Sequence, residues 1–169
     1  PYDMTNRFFN KDLAGGAMLD IGVYALSFVR WFMDSKPTEV KSMVKPAPTG
    51  VDEAAVIILK NDSDQMATVS LSLHSKQPKR GMVSCENGYI EIMEYPRACK
   101  ATVFYIKDRS TEIIEAGVRE EALNYEMEDM EKAIGGDRSG LFLDYTKDVM
   151  DIMTDIRNEW GMFYPEEEK

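Results

Sequence analysis

The apolar positions of this chain change period twice. From 17 to 33 they run almost continuously, interrupted by Asp20 and Arg30. The run is shorter than the ~20 residues a membrane span needs, and it reads as a helix buried on most sides. Gly15 and Gly16 stand just before it and allow a tight backbone approach, while Pro37 forbids its continuation. The period then falls to two. Val40, Ser42 and Val44 alternate with Lys41, Met43 and Lys45, and residues 46–50 break the run. Residues 51–60 are apolar and rich in β-branched types, and 61–64 read as a turn. Over 65–75, Ala67, Val69, Leu71 and Leu73 face one way and Thr68, Ser70, Ser72 and His74 the other. That predicts an antiparallel hairpin with one face of small hydroxyls. Two more hairpins are predicted: 81–85 with 89–93 across Glu86, Asn87 and Gly88, and 102–106 with 111–115 across 107–110. Helical spacing returns at Leu123, Met127, Met130 and Ile134, stopped by Gly135 and Gly136. It recurs at Val149, Ile152, Met153, Ile156 and Trp160, ending near Gly161. Residues 166–169 read as a frayed acidic tail. The order of one helix, six or seven strands and two helices predicts an α+β fold: an open, predominantly antiparallel sheet with helices packed on one face.

Composition narrows the class. A chain of 169 residues suits one domain (1–169) with its own core. Hydrophobic residues at 44% and charged ones at 30% describe a soluble globular chain rather than a disordered one. Twenty basic against thirty acidic side chains leave a net charge of −10, which argues against nucleic acid as a partner. Lys76, Lys79 and Arg80 form the only basic cluster, beside Pro78, and read as a solvated loop. Cys85 and Cys99 fit neither a CxxC nor a zinc spacing; they are expected to be reduced and packed, in a cytoplasmic protein with no membrane partner. Pro1 in place of Met leads us to expect a cut or processed N-terminus.

Most routes to chemistry lack their residues. No GxGxxG follows a predicted strand and there is no P-loop; the glycine-rich 135–140 follows a helix and reads as a connector. His74 is the only histidine, and no cluster has metal-ligand spacing. One pair stands apart. Asp20 and Tyr24, four residues apart in an apolar helix, share a face, and Gly16 one turn earlier leaves that face open. An acid among apolar neighbours must find a partner or face a cavity. Spacing alone favours Asp20 as a helix cap and Tyr24 as a core aromatic; the other reading is a site.

The surrounding residues shift that balance. Leu13-Ala14-Gly15-Gly16-Ala17-Met18-Leu19-Asp20-Ile21-Gly22-Val23-Tyr24 resembles the segment that opens the second domain of the glucose–fructose oxidoreductase/inositol dehydrogenase (Gfo/Idh/MocA) family, in its dihydrodiol dehydrogenase-like branch. Arg7-Phe8-Phe9, Thr49 to Glu53, Tyr125 to Glu128, Met150 to Arg157, Glu159 to Gly161 and Tyr164-Pro165 support the likeness. The resemblance implies a dihydrodipicolinate reductase-like C-terminal domain acting on a hydroxyl or carbonyl of a sugar, polyol or dihydrodiol-like substrate. It implies NAD or NADP, held mainly by an N-terminal Rossmann domain that this chain does not contain; the two domains together need roughly twice this length. By the same match Tyr24 is the acid/base and Asp20 orients substrate hydroxyls. Arg7 and Tyr125 are further substrate-side expectations, and Gly16 lies on the cofactor side. An ordinary phenol, with a pKa of ~10, needs a nearby cation to act as a base. The family's lysine, from a Glu-Lys-Pro motif, is not in this sequence. The resemblance also implies a homo-oligomer through the hydroxyl-lined sheet face. The alternative is a non-catalytic dimerisation or ligand-binding module.

Overall fold

The computed structural model describes residues 2, 3 and 5–167. They fall into two compact units, one within Pro1–Gln77 and Asp144–Lys169 and one within Pro78–Leu143. The strands divide into two antiparallel sheets, where the sequence predicts one run. Beyond the third strand the backbone enters a polar stretch ending at Pro78, which has no N–H to donate to a ladder.

In the first unit, β1 (Pro37–Pro46), β2 (Asp52–Asn61) and β3 (Met66–Ser72) pair in sequence order. The register sets Val40, Leu59 and Ala67 in one row, Ser42, Ile57 and Val69 in the next, and Val44, Ala55 and Leu71 in a third. Because side chains alternate along a strand, these rows share one face. Helices α1 (Val23–Phe32) and α3 (Leu143–Glu159) cover that face, packing Leu26, Val149, Ile152, Met153 and Ile156 against Ile57, Leu59, Val69 and Leu71. Ser42, the polar member of the inner rows, accepts a hydrogen bond from the Trp160 indole N–H at 2.9 Å.

The helix over 17–33 begins as a π-helical turn, Met18–Gly22, before α1. One side of it is exposed. Leu26 and Arg30 are buried, whereas Tyr24, Ser27 and Trp31 form an exposed stripe. Arg30 is buried with partners: its Nε donates to Asp148 of α3 at 2.7 Å, its Nη1 to the Met33 carbonyl at 3.1 Å, and its guanidinium lies 4.0 Å from the Tyr145 ring centroid. By length and composition Lys11–Phe32 passes as a membrane-crossing helix. Ala14 at φ 52° and Gly16 at φ 121° nevertheless break the stretch before the π-helical turn.

The second unit is a meander of β4 (Arg80–Cys85), β5 (Gly88–Met93), β6 (Lys100–Tyr105) and β7 (Thr111–Glu115), followed by α2 (Ala122–Ile134). Gly88 pairs with Cys85 across the ladder, so Glu86 and Asn87 alone make the turn. A Cβ on Gly88 would stand 1.8 Å from the Phe104 carbonyl oxygen, so the glycine serves close strand approach. Gly135 caps α2 and Gly136 follows at φ 102°. Leu123, Met127, Met130 and Ile134 are exposed. Cys85 and Cys99 are free thiols and exposed, not packed.

Candidate active site

Two adjacent glycines build the site, each by a different close approach. A Cβ on Gly15 would stand 2.4 Å from the Arg7 carbonyl oxygen, 2.8 Å from that of Phe8 and 2.9 Å from that of Asn10. With no side chain there, the loop of residues 7–10 lies directly on the start of the helix. Gly16 N–H donates to Phe8 O and Gly15 N–H to Asn10 O, both at 2.9 Å. This loop carries Arg7 in a short 3-10 turn, Arg7–Phe9, whose start is capped by the Asn6 side chain. The consequence is the contact that the sequence left open: Arg7 Nη2 donates to Asp20 Oδ1 at 2.6 Å. The guanidinium also lies 4.4 Å from the Phe8 ring centroid.

Asp20 therefore does not cap its helix, and Tyr24 is not a core aromatic. Asp20 is mostly sheltered, and its partner Arg7 is 61% exposed at its side chain. Tyr24 is 50% exposed. An ion pair with an accessible cation, and a phenol one turn along the same helix face, leave polar groups available to a ligand.

The cap comes from elsewhere in the chain. Asp52, the first residue of β2, is completely buried, and its Oδ2 accepts from the Met18 N–H at 2.6 Å. Its Oδ1 has no hydrogen-bond partner, and a Cβ on Gly16 would stand 2.1 Å from that oxygen and 3.2 Å from the Tyr164 hydroxyl. The face of Gly16 that the spacing leaves open is therefore filled by Asp52 and Tyr164. Burial pushes the Asp52 carboxyl above its ordinary value, against the pull of the Met18 amide and the Arg157 charge. The Tyr164 hydroxyl donates to the Gly15 carbonyl. Burial, reinforced by the nearby Asp52 charge, pushes the Tyr164 phenol up to about 12. Arg157 of α3 lies over the Tyr164 ring and forms a two-pronged pair with Glu167, at 2.9 and 2.7 Å. That pair holds the Glu167 carboxyl down at about 2. The acidic end is thus not frayed at Glu167; Glu168 and Lys169 lie outside the described residues.

Beside Asp52, the buried Glu53 accepts from Lys45 at 2.7 Å and from the Tyr2 hydroxyl. Lys45 and Tyr2 together hold its carboxyl below the usual range. His74 stacks on Tyr2, with ring centroids 4.5 Å apart, and its Nδ1 is 3.7 Å from Glu53. The sequence reading places both acids in the resembling segment Thr49 to Glu53 and gives them no site role. Their signal was two consecutive carboxylates heading an apolar β-branched run, where burial demands partners. Tyr125 belongs to the second unit, on α2, where its hydroxyl accepts from the Val118 N–H at 3.0 Å. Among the described residues, no group of three or more His, Cys, Asp or Glu side chains is placed to hold a metal ion.

Known proteins share this arrangement of elements. Residues 1–91 match the family model described as the GFO/IDH/MocA C-terminal domain. A trans-1,2-dihydrobenzene-1,2-diol dehydrogenase from Danio rerio is 33% identical over 87 residues, covering 51% of this chain and 26% of the relative. A second, from Xenopus laevis, is 34% identical over 90 residues, covering 53% of this chain and 27% of the relative. Among solved structures, an aldose-aldose oxidoreductase from Caulobacter crescentus superposes with a TM-score of 0.70 at 20% identity, over 92% of this chain and 49% of that one. The match thus spans about half the length of that structure and about a quarter of the curated relatives. The family model covers more than half of the residues, and it includes the glycine pair, Asp20, Tyr24 and Asp52, so this chain belongs to the GFO/IDH/MocA C-terminal-domain family.

Proposed function

We propose that this chain is the substrate-side domain of a nicotinamide-dependent oxidoreductase that interconverts a hydroxyl and a carbonyl on a sugar, polyol or dihydrodiol-like substrate. The observation that carries this reading is the Arg7–Asp20 pair beside the half-exposed Tyr24. Tyr24 moves the proton at the substrate oxygen. Asp20 accepts from neighbouring substrate hydroxyls, and Arg7 holds its carboxylate in place. The dihydrodiol dehydrogenases among the relatives support the substrate class, and a neighbouring 3-ketoreductase from Actinomadura kijaniata solved with NADP supports the cofactor class. Gly16 is packed against Asp52, and we assign NAD or NADP to a Rossmann domain of the full-length protein. When bound, the nicotinamide supplies the hydride acceptor or donor.

The test is Tyr24→Phe in the full-length protein, assayed against a panel of aldoses, inositols and dihydrodiols. We expect kcat to fall by roughly 10²–10⁴-fold, with folding and cofactor binding retained. Undiminished turnover in that variant removes Tyr24 from the mechanism.

The outer face of the first sheet supports an assembly role beside catalysis. Met43, Val56, Ile58 and Met66 are exposed there, next to Thr68, Ser70 and Ser72. We assign this face to pairing with a second copy of the chain, which Val56→Lys should weaken in sedimentation experiments. The free, exposed cysteines suit a reducing cytoplasm.

A further inference from the structure

We infer that Asp52 and Tyr164 are positioning residues for the Asp20–Tyr24 helix, gripping its first turn from β2 and from the segment after α3. The inference rests on the functional reading above. Four observations carry it. Asp52 reaches the Met18 amide, two residues before Asp20, from 34 positions away in sequence. The Tyr164 hydroxyl reaches the Gly15 carbonyl across 149 positions. Both side chains are buried, Asp52 completely and Tyr164 to within 4%. Gly16, between the two anchored groups, sits at φ 121° with no room for a Cβ.

The grip acts where the backbone is least self-supporting. A helix start leaves amides without intrahelical partners, and Ala17 provides no side-chain cap. Asp52 supplies an acceptor for the Met18 amide, in the first turn of the helix that carries Asp20 and Tyr24. Arg157 braces the Tyr164 ring, and Glu167 holds Arg157, so the chain end closes the arrangement. The second Asp52 oxygen faces Gly16 and is shut off from solvent.

The experiment compares Asp52→Asn, Asp52→Ala and Tyr164→Phe in the full-length oxidoreductase, each also combined with Tyr24→Phe. Asp52→Asn keeps an acceptor for Met18 and should retain kcat within about twofold, whereas Asp52→Ala should lose roughly tenfold to a hundredfold in kcat. Tyr164→Phe, which keeps the ring and its packing, should lose kcat about tenfold with the nicotinamide KM unchanged. In the Tyr24→Phe background each change should lower the residual rate by much less than in the otherwise unaltered protein, leaving only the part that acts through Asp20, because a positioning residue acts through the groups it positions. A merely structural role would cost activity equally in both backgrounds, and that result overturns the inference. So does full kcat in a folded Tyr164→Phe, which also decides the matter if Asp52→Ala does not fold. An inert Tyr24→Phe beside a fully active Tyr164→Phe removes positioning alone. An active Tyr24→Phe removes the catalytic reading and the positioning with it.

Discussion

In the first unit, α1 and α3 press Leu26, Val149, Ile152 and Ile156 onto Ile57, Leu59 and Val69 until each is almost inaccessible. In the second, Leu123, Met127, Met130 and Ile134 repeat along α2 with comparable helical spacing and stay exposed. Both helical stripes obey the same period. What differs is the surface offered to them within the unit: a three-stranded sheet with a continuous apolar face, against a four-stranded meander whose apolar side chains are all at least partly exposed. A hydrophobic period therefore announces a stripe, and the facing element decides whether it becomes a core.

Chemical denaturation can break that comparison most directly. Ile57→Ala removes a fully buried side chain and should cost about 3–5 kcal/mol. Met127→Ala, at the other extreme, should change stability by about 0.5 kcal/mol or less. Equal losses at the two positions would show that the two units bury their apolar side chains alike in solution.

A pair of glycines sharpens the contrast at the next level. Gly16→Ala combines φ 121° with a Cβ 2.1 Å from Asp52, and should cost about 2–5 kcal/mol. Gly136→Ala faces open space at φ 102°, so backbone strain acts alone and the loss should be about 1–2 kcal/mol. A thermal-melt series on the two variants separates crowding from strain.

The smaller expected effect is on acid stability. Glu167 titrates at about 2 in the folded chain against an ordinary 4.5, so its pair with Arg157 contributes stability above pH ~4.5 that is lost as pH falls toward ~2. Asp52 has the opposite sign, since its raised carboxyl lets the folded state take up a proton more readily as pH falls. Glu167→Gln should thus flatten the acid limb of the stability curve and leave the Asp52 contribution exposed. An unchanged acid limb would detach Glu167 from the clasp.

The element order, the α+β class, the turn at 61–64, the helix stop at Gly135 and the helix that presents Asp20 and Tyr24 are legible in the residues alone. These follow from local rules: period, proline, glycine and side-chain spacing act over a few residues. The sequence also marked Gly15 and Gly16 as a place of close approach. What approaches was settled only in three dimensions: the Arg7–Asn10 loop against Gly15, and Asp52 with Tyr164 against Gly16. The same holds for Asp20, whose partner is Arg7 and not its own helix start, and for Tyr24, which emerges on an exposed stripe of an apolar helix. Tertiary structure decided these because burying a carboxylate or leaving a helix amide unpaired costs too much to be left to chance. The partners that relieve that cost can come from any point in the chain.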